Sequence, residues 1–460
     1  MTEVYDVAVI GAGVVGCAVA RRLAALEASV VLVDARDDVG DGTSKANTAI
    51  LHTGFDAVPG SLESGFVARG YTLLGEYAQE AGIPVERTGA VLVAWDEEQR
   101  AALPSLAEKA ARNGYDAAEI LGADRVYALL PDLGPGALGG LSVPGESIID
   151  PWSTTLAFAN DALARGAELR LGCRVEGVDR SQADMTTLTT NQGTLSARWV
   201  VNAAGLGADT IDRMFGHDRF TVVPRRGELL VFDKFARRLA PRIVLPVPTA
   251  RGKGVLVSPT IFGNVMLGPT AEDLEDRTDT STSVAGVHDL LEKGRLILPA
   301  LLEEEVTATY AGLRAASEHS DYVVDLDVDS RYAVLGGIRS TGLTASLALA
   351  EHVHALLEKA GFDAPPRADL PPPYRVPNIG EAFPRPYQQE ALIESDPEYG
   401  RVVCFCERVT RGEVRDVLAS PVPPRDLDGL RRRTRVLMGR CQGFFCGAEV
   451  ERLLEEGRRP

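Results

Sequence analysis

Four cysteines near the C-terminal end of the 460-residue chain have the type and spacing of metal ligands. They form two close pairs separated by 34 residues: Cys404 with Cys406, and Cys441 with Cys446. Six cysteines in a chain of this length do not make a disulfide scaffold, so the clustering needs another explanation. Zinc sites commonly use Cys-x2–4-Cys pairs, and this four-cysteine pattern is different. The cluster predicts a metal site, whereas the isolated Cys17 and Cys173 are predicted to be small buried core residues.

A glycine-rich segment near the other end, Gly11-Ala12-Gly13-Val14-Val15-Gly16, has the pattern of a dinucleotide-binding turn. An apolar strand at 4–10 precedes it, a helical pattern at 14–26 follows, and a second strand at 30–33 ends at Asp34. The glycines allow a tight turn and a close approach of the backbone to a pyrophosphate, and the helix N-terminus supplies N–H donors. The Asp34 carboxylate would accept hydrogen bonds from a ribose. We therefore expect a bound dinucleotide here.

The elements between these motifs alternate, and the length favours two or three domains. Strands are predicted at 88–96, 167–178, 185–188, 199–202, 228–232, 254–258, 264–267, 322–324 and 332–335. Helices are predicted at 97–130, 150–164 and 345–360. Residues 361–400 are rich in proline, which blocks regular structure, so an extended linker that wraps a surface is expected there.

Composition excludes several classes of protein. The hydrophobic fraction of 45% and the charged fraction of 25% are typical of a globular protein. A net charge of −17 argues against nucleic acid as a partner, although a few local arginines could still bind an anionic substrate. No apolar run approaches the roughly 18 residues that span a bilayer, and the first residues lack a basic leader. We expect a cytoplasmic protein with no direct membrane span.

Four motifs that occur in order along residues 1–360 resemble the D-amino-acid-oxidase superfamily of FAD enzymes. They are the glycine-rich turn, Ser44-Lys45-Ala46-Asn47 with His52-Thr53-Gly54-Phe55, Asn202-Ala203-Ala204-Gly205, and Gly337-Ile338-Arg339-Ser340-Thr341-Gly342-Leu343-Thr344. Within the superfamily they resemble the branch of glycerol-3-phosphate dehydrogenase and L-2-hydroxyglutarate dehydrogenase. The resemblance implies an α/β fold with a Rossmann-like FAD-binding domain, formed by about 1–80, 145–215 and 330–360. A mixed α+β substrate domain, about 81–144 and 216–329, would be interleaved with it.

The cysteine segment resembles the bacterioferritin-associated-ferredoxin-like domain, in which four thiolates hold a [2Fe-2S] cluster. The matching residues include Cys404-Phe405-Cys406-Glu407 and the run from Gly439 to Cys446. This implies a linker at 361–400 and a small [2Fe-2S] domain at 401–460, with Cys404, Cys406, Cys441 and Cys446 as ligands. Zinc and free thiols remain the alternatives. The adjacent run Arg431-Arg432-Arg433 predicts a solvated face, with contact to the FAD domain or to a partner as the alternative.

The FAD resemblance also implies individual contacts, with FAD held non-covalently. The pyrophosphate and ribose would lie against Gly11, Gly13, Gly16 and Asp34, and other phosphate contacts would come from Thr43 and Ser44. Val175 would lie near the adenine, and Ala204 and Gly205 would pack on the ADP half. The pyrimidine edge of the flavin would be lined by Gly337, Arg339, Thr341, Gly342, Leu343 and Thr344.

The substrate side is implied by fewer residues. His52 would lie near the flavin ring, where an imidazole could accept the hydroxyl proton of the substrate, or it is only bonded into the flavin loop. Arg314, in Tyr310-Ala311-Gly312-Leu313-Arg314, would meet the anionic end of the substrate, because guanidinium matches carboxylate or phosphate. Arg226 and Arg339 are further candidates for substrate binding.

The predicted function is that of an FAD-dependent dehydrogenase. It would oxidise a small anionic CH–OH substrate, of the glycerol 3-phosphate or L-2-hydroxy acid class, by hydride transfer to flavin N5. Electrons would then pass to the [2Fe-2S] cluster, and an acceptor protein or a quinone-linked partner would take them. The alternatives are a CH–NH dehydrogenase for amino acid, sarcosine or opine-type substrates, and a cluster-carrying subunit of a larger dehydrogenase. The oligomeric state is left open.

Overall fold

The computed structural model describes residues 3–182, 184–248, 254–381 and 383–457, and the other positions of the predicted domains and linker lie outside the described residues. Its helices are α1 (Val14–Leu23), α2 (Leu62–Ala81), α3 (Glu97–Arg112), α4 (Ala123–Leu129), α5 (Pro151–Ala164), α6 (Ala208–Met214), α7 (Val284–Ile297), α8 (Gly342–Lys359), α9 (Glu390–Ser395), α10 (Arg411–Leu418), α11 (Leu427–Thr434) and α12 (Gly447–Gly457). Its strands are β1 (Glu3–Ile10), β2 (Val30–Val33), β3 (Ile50–Leu51), β4 (Val85–Glu86), β5 (Ala90–Ala94), β6 (Glu119–Gly122), β7 (Gly139–Val143), β8 (Ser147–Ile149), β9 (Glu168–Arg170), β10 (Val175–Asp179), β11 (Thr186–Thr190), β12 (Gly193–Asn202), β13 (Val222–Phe232), β14 (Ile243–Pro246), β15 (Leu256–Pro259), β16 (Val265–Gly268), β17 (Glu272–Asp273), β18 (Val306–Ser317), β19 (Val323–Asp327), β20 (Tyr332–Gly336), β21 (Val402–Cys404) and β22 (Val409–Thr410).

The first sheet has eight strands with a parallel centre, as expected for a dinucleotide-binding unit. Its order is β9-β2-β1-β12, after which β12 pairs with β20 along its C-terminal part and with β11 along its N-terminal part. Both faces are buried. Val7 and Val9 of β1 pack with α1, α5 and α8, whereas Ala8 and Ile10 pack with α6. Burial on both faces explains the continuous apolar runs of these strands.

The second sheet has nine strands and is mostly antiparallel. Its longest pair joins β13 to β18 over residues 222–232 and 306–317. Helices α4 and α7 cover one face, where Val91 and Leu267 are buried, and α3 covers the part of the other face around Leu92. The α/β fold class is therefore confirmed, because a Rossmann-like parallel sheet is joined to a second, mixed α+β unit.

The helices differ from the predictions in several places. One is the proline-rich stretch 361–400, where α9 (Glu390–Ser395) forms although proline was expected to block regular structure. The stretch 97–130 is not helical throughout, because β6 lies between α3 and α4 and pairs with β7. Helix α2 was not predicted, although Ser61 caps it by accepting from the Ser64 N–H and Gly82 ends it with a φ of 73°. Helix α7, with Ser283 as its cap, was also not predicted within the strand-rich stretch 220–330.

The C-terminal part continues from α8 along the surface of the first unit. Backbone hydrogen bonds join Pro365 to Glu27 and Arg367 to Ala25. This segment therefore lies against the residues that come directly after α1 in the chain. A separate small core then forms among α10, α11 and α12 and includes Cys404 and Cys446. Two of the four thiols predicted to bind metal therefore belong to this core, whereas Cys406 and Cys441 are half-buried.

Candidate active site and cofactor sites

A cavity of about 440 Å³ opens at the carboxyl ends of β1, β2, β12 and β20. Twelve of the fifteen residues predicted to contact FAD line it: Gly11, Gly13, Asp34, Thr43, Ser44, Val175, Ala204, Gly205, Gly337, Arg339, Gly342 and Leu343. Gly16, Thr341 and Thr344 lie behind its wall. Three cationic side chains without a predicted cavity role also line it: Arg36, Arg174 and Arg277.

The glycine-rich turn has no room for side chains. Gly11 has a φ of 106°, and a Cβ there would lie 2.4 Å from the carbonyl oxygen of Ala203. A Cβ on Gly16 would lie 1.8 Å from the carbonyl oxygen of Gly11. These contacts explain why both positions are glycine. Gly11 and Gly13 line the cavity without side chains, so their backbone can approach a pyrophosphate closely.

Asp34 connects the turn to the end of β2. Its carboxylate accepts hydrogen bonds from the Ala12 N–H at 2.6 Å and the Arg36 N–H at 2.8 Å. Burial raises the pKa of Asp34, and these two hydrogen bonds oppose that rise. Nearby, the Ser44 hydroxyl accepts from the Val14 N–H at the start of α1, at 3.0 Å. A polar ring of backbone and hydroxyl groups thus surrounds the place where an ADP group would lie, so these residues fit FAD.

The far end of the cavity is held by α2. Glu63 accepts hydrogen bonds from Arg339 Nη2 at 3.0 Å and from the Thr341 hydroxyl at 2.7 Å. Arg339 also donates to the carbonyl oxygen of Ser320. The Arg339 guanidinium therefore already has a carboxylate partner, although the residue lines the cavity.

His52 is not among the residues that line the cavity, and it forms a dyad with a buried carboxylate. Its backbone N–H donates to the Thr344 hydroxyl at 3.0 Å, and its Nδ1 lies 2.9 Å from Glu146 Oε2. Glu146 is fully buried, and its Oε1 accepts from both the backbone N–H and the hydroxyl of Thr53. Glu146 was not predicted from the sequence, where its only signal is an acidic residue within the apolar stretch 139–149.

Arg314 is largely buried on β18, opposite Arg225 of β13. Its guanidinium packs against Gly227 and Pro269 and donates to the carbonyl oxygen of Thr270 at 3.2 Å. Burial, followed by the charge of Arg225, lowers the pKa of Arg314 to about 10, so the group stays charged at neutral pH. Within the described part of the chain it forms no ion pair, although the charge of Asp273 partly opposes the fall of its pKa. Arg314 is thus a largely buried cation that lies outside the residues lining the cavity.

The same strand places Arg314 near the loop that leads to His52. Tyr310 donates to the carbonyl oxygen of Asn47 at 3.1 Å, and the Leu313 carbonyl accepts from the Thr43 hydroxyl at 2.9 Å. A Cβ on Gly312 would lie 2.6 Å from the carbonyl oxygen of Ala46. Residues 310–314 therefore run directly against residues 43–47.

Arg226 is held differently from Arg314. Its buried guanidinium contacts Glu272 at 2.5 Å and Asp279 at 3.1 Å, and its Nε lies 3.4 Å from Glu228. Like Arg314, it does not line the cavity. What distinguishes Arg226 is its three acidic partners, which pair its charge without a substrate.

The four clustered cysteines stand in two neighbouring pairs. Cys404 is close enough to Cys446, and Cys406 to Cys441, for each neighbouring thiol to raise the pKa of the first. Burial raises the pKa of Cys404 to about 11, while the amides of Glu407 and Leu437 lower it. The amide of Phe445 lowers the pKa of Cys441. Two thiol pairs, with backbone N–H donors beside Cys404 and Cys441, fit the two irons of a [2Fe-2S] cluster.

The arginine run beside these cysteines is not a solvated face, and that prediction is wrong for two of its three members. Arg432 and Arg433 are 8% and 6% exposed, and both guanidinium groups contact Asp38 of the first unit. The alternative, contact with the FAD domain, is what the structure has.

Together, these features define a flavin-dependent oxidoreductase with an attached iron–sulfur domain. The FAD dependent oxidoreductase family matches residues 6–356, and the BFD-like [2Fe-2S] binding domain matches residues 402–456. The chain belongs to the FAD dependent oxidoreductase family. The predictions of FAD and of a [2Fe-2S] cluster as cofactors are therefore confirmed.

Relatives narrow the class further. A glycerol 3-phosphate dehydrogenase of Caloramator mitchellensis is 34% identical over 98% of this chain and 94% of its own. A mitochondrial L-2-hydroxyglutarate dehydrogenase of Caenorhabditis elegans is 28% identical over 63% of this chain and 68% of its own. The FAD-bound structure of L-α-glycerophosphate oxidase from Mycoplasma pneumoniae is similar at a TM-score of 0.78 and 27% identity, over 82% of this chain and all of that one. These relatives confirm the predicted enzyme class, a dehydrogenase acting on CH–OH donors. No helix among the described residues has the length and apolar character that crossing a membrane requires.

Proposed function

We propose that this enzyme oxidises glycerol 3-phosphate, with L-2-hydroxy acids as the second substrate class. The observation that carries the proposal is the buried Arg314 guanidinium, which forms no ion pair within the described part of the chain. The nearly full-length similarity to a glycerol 3-phosphate dehydrogenase favours the phosphate ester over the hydroxy acid.

Arg314 supports an anionic substrate on energetic grounds. A buried charge without a partner is costly, by several kcal/mol in effective terms, so it is best understood as one that a ligand pairs. A guanidinium presents two parallel N–H donors, which match two oxygens of a phosphate or a carboxylate. Arg226 and Arg339 support the assignment by contrast, because each already has at least one carboxylate partner.

His52 is the proposed base that accepts the hydroxyl proton. A carboxylate only accepts hydrogen bonds, so Glu146 requires the proton of the neutral imidazole to be on Nδ1. This tautomer leaves the ring lone pair on Nε2, which is the atom that we propose takes the substrate proton. Bound FAD supplies the complementary chemistry, acceptance of a hydride from the carbon that carries the hydroxyl group.

The [2Fe-2S] domain suggests where the electrons leave. A cluster held by the four cysteines of this domain would exchange electrons one at a time, whereas FAD in the same chain would accept two electrons from the substrate. We propose that electrons from substrate oxidation leave through this domain to an external acceptor, either a redox protein or a quinone-linked partner.

An anaerobic visible spectrum tests the proposed function. The purified protein, with both cofactors present, is recorded before and after addition of glycerol 3-phosphate, L-2-hydroxyglutarate or glycine. Loss of the flavin band with glycerol 3-phosphate at the lowest concentration supports the proposal, and loss with L-2-hydroxyglutarate alone moves the substrate to the second class. Bleaching by glycine alone, or by none of the three, contradicts a CH–OH dehydrogenase of this kind.

Phosphite or sulfate competition gives the matched control for Arg314. Either anion should slow bleaching of the parent protein competitively with substrate. The same anions should have no such effect on Arg314→Met, because the proposed anion site is gone from that variant.

A further inference from the structure

The [2Fe-2S] domain is docked on the outer side of the loop that forms the FAD cavity. We call residues 34–45 the cofactor loop. Asp34, Thr43 and Ser44 of this loop line the cavity on its inner side. Asp38 and Asp41 of the same loop point the other way, toward α11.

An ion-pair cluster makes the first contact. Asp38 is 3% exposed and accepts from Arg433 Nη1 at 2.7 Å, Arg433 Nη2 at 2.6 Å and Arg432 Nη2 at 2.7 Å. Arg432 Nη1 also lies 3.0 Å from Asp41. Burial alone would raise the pKa of Asp38, but the hydrogen bonds and charges of Arg433 and Arg432 outweigh it and keep that pKa below its usual range.

A stack of side chains makes the second contact. The guanidinium carbon of Arg435, just after α11, lies 4.4 Å from the ring centre of Phe262. Phe262 stacks on Trp152, with ring centres 4.9 Å apart and planes 17° from parallel. The indole N–H of Trp152 donates to the carbonyl oxygen of Lys45 at 3.0 Å, so this contact also ends on the cofactor loop.

The two contacts hold opposite ends of one loop from outside. A small cavity between them is lined by Val39, Gly40 and Ser44 of the loop and by Arg432 and Arg433 of α11. Ser44 lines both this small cavity and the FAD cavity, so a single residue separates the interface from the FAD site. Loss of α11 would leave Asp38 without both of its guanidinium partners and would free the loop that carries Asp34 and Ser44.

We propose that the [2Fe-2S] domain is a structural part of the FAD site. Its docking through Arg432, Arg433 and Asp38 holds the cofactor loop in the conformation that binds FAD. Because coupling between two sites is reciprocal, FAD binding must in turn stabilise the docked [2Fe-2S] domain. The role of these arginines is to position the loop, whichever substrate the enzyme oxidises.

FAD affinity of charge-deleted variants tests the coupling. The double variant Arg432→Met/Arg433→Met should bind FAD at least tenfold more weakly than the parent, measured from the fluorescence of released FAD on serial dilution of the holoenzyme. The matched control is Arg415→Met/Arg452→Met, which removes two exposed arginines of the same domain that pair only with nearby acids. The control should stay within twofold of the parent. Equal affinities for both double variants would overturn the proposal.

Two further measurements keep the test independent of how the double variant folds. Asp38→Asn should weaken FAD binding from the other side of the contact, and combining it with the arginine changes should add little, because all three residues form one unit. In the unmodified protein, an iron chelator should bleach the cluster several-fold faster after FAD has been removed than before. Additive penalties, or cluster loss at a rate independent of FAD, would contradict the coupling.

Discussion

Replacing Glu146 by Gln tests the proton-transfer role assigned to His52 with a change of one atom. Glu146 Oε1 accepts from the Thr53 N–H at 2.6 Å and the Thr53 hydroxyl at 2.9 Å, so a glutamine must turn its carbonyl oxygen toward Thr53. Its NH2 group then faces His52 Nδ1, which becomes an acceptor and moves the ring proton to Nε2. The opposite orientation of the amide would put two N–H donors against each other beside Thr53. The orientation that satisfies the Thr53 N–H therefore loses the tautomer that can accept the substrate proton, and the other orientation keeps that tautomer only at the cost of this donor–donor contact.

The expected loss of rate follows from the role of a general base. A positioned base contributes roughly 10²- to 10⁴-fold to a rate, which corresponds to about 3–5 kcal/mol of barrier. Glu146 is fully buried, so water does not replace the lost carboxylate oxygen. The assay is anaerobic stopped-flow bleaching of the flavin by glycerol 3-phosphate at saturating substrate, over a range of pH. We expect the rate constant for flavin reduction to fall by that factor while substrate affinity stays within a few-fold of the parent.

The control for this experiment is Glu351→Gln, the same change at an exposed carboxylate that pairs with Arg69 on α2. It should reduce flavin at the parent rate. His52→Gln should be as slow as Glu146→Gln, and the double variant should be no slower than either, because the two side chains act as one unit. A Glu146→Gln protein that retains FAD and reduces it within threefold of the parent rate would refute the role of the dyad.

Three other expectations follow from the same structure. Arg314→Met should weaken substrate binding by roughly 10- to 100-fold, because charge-assisted hydrogen bonds contribute about 1.5–3 kcal/mol. The control is Arg225→Met, which removes an arginine already paired with Asp273 and should have a smaller effect in the same titration. Cys446→Ser should abolish the cluster absorbance and lower the unfolding temperature of the [2Fe-2S] domain, because metal binding is coupled to folding, and Cys17→Ala should leave that absorbance intact. The FAD-affinity penalty of Asp38→Asn should be constant above pH ~4, the ordinary range of an aspartate. It should disappear in more acidic buffer, since a carboxyl with a lowered pKa contributes only while it is ionised and loses its contribution as pH falls through the folded pKa.

Sequence patterns predicted the parts of this protein that depend on local geometry. The turn at Gly11–Gly16 requires glycine because a Cβ would collide with neighbouring backbone, and such a requirement leaves a pattern of fixed spacing. Glu146 left no such pattern, because it meets His52 only through β-sheet pairing across 94 positions of the chain. Helix α2 had readable caps, yet its functional contribution, Glu63 bound to Arg339 and Thr341, depends on a contact across more than 270 positions. A carboxylate that will be buried cannot be distinguished in sequence from one on the surface.

The arginines of this chain show why partners, rather than residue type, identify an anion site. Arg226, Arg433 and Arg314 are all at least largely buried, and burial of a guanidinium is unfavourable unless its charge is paired. Arg226 meets Glu272 of its own sheet and Asp279 of the following loop, and Arg433 meets Asp38 of the FAD domain, so folding itself pairs both charges. Arg314 forms no ion pair among the described residues: it donates to a carbonyl oxygen and lies opposite a second arginine, and the charge of Asp273 offsets this only in part. We therefore infer that substrate pairs the Arg314 charge, and that the free energy released on pairing it is available for binding a small anion in an otherwise acidic protein.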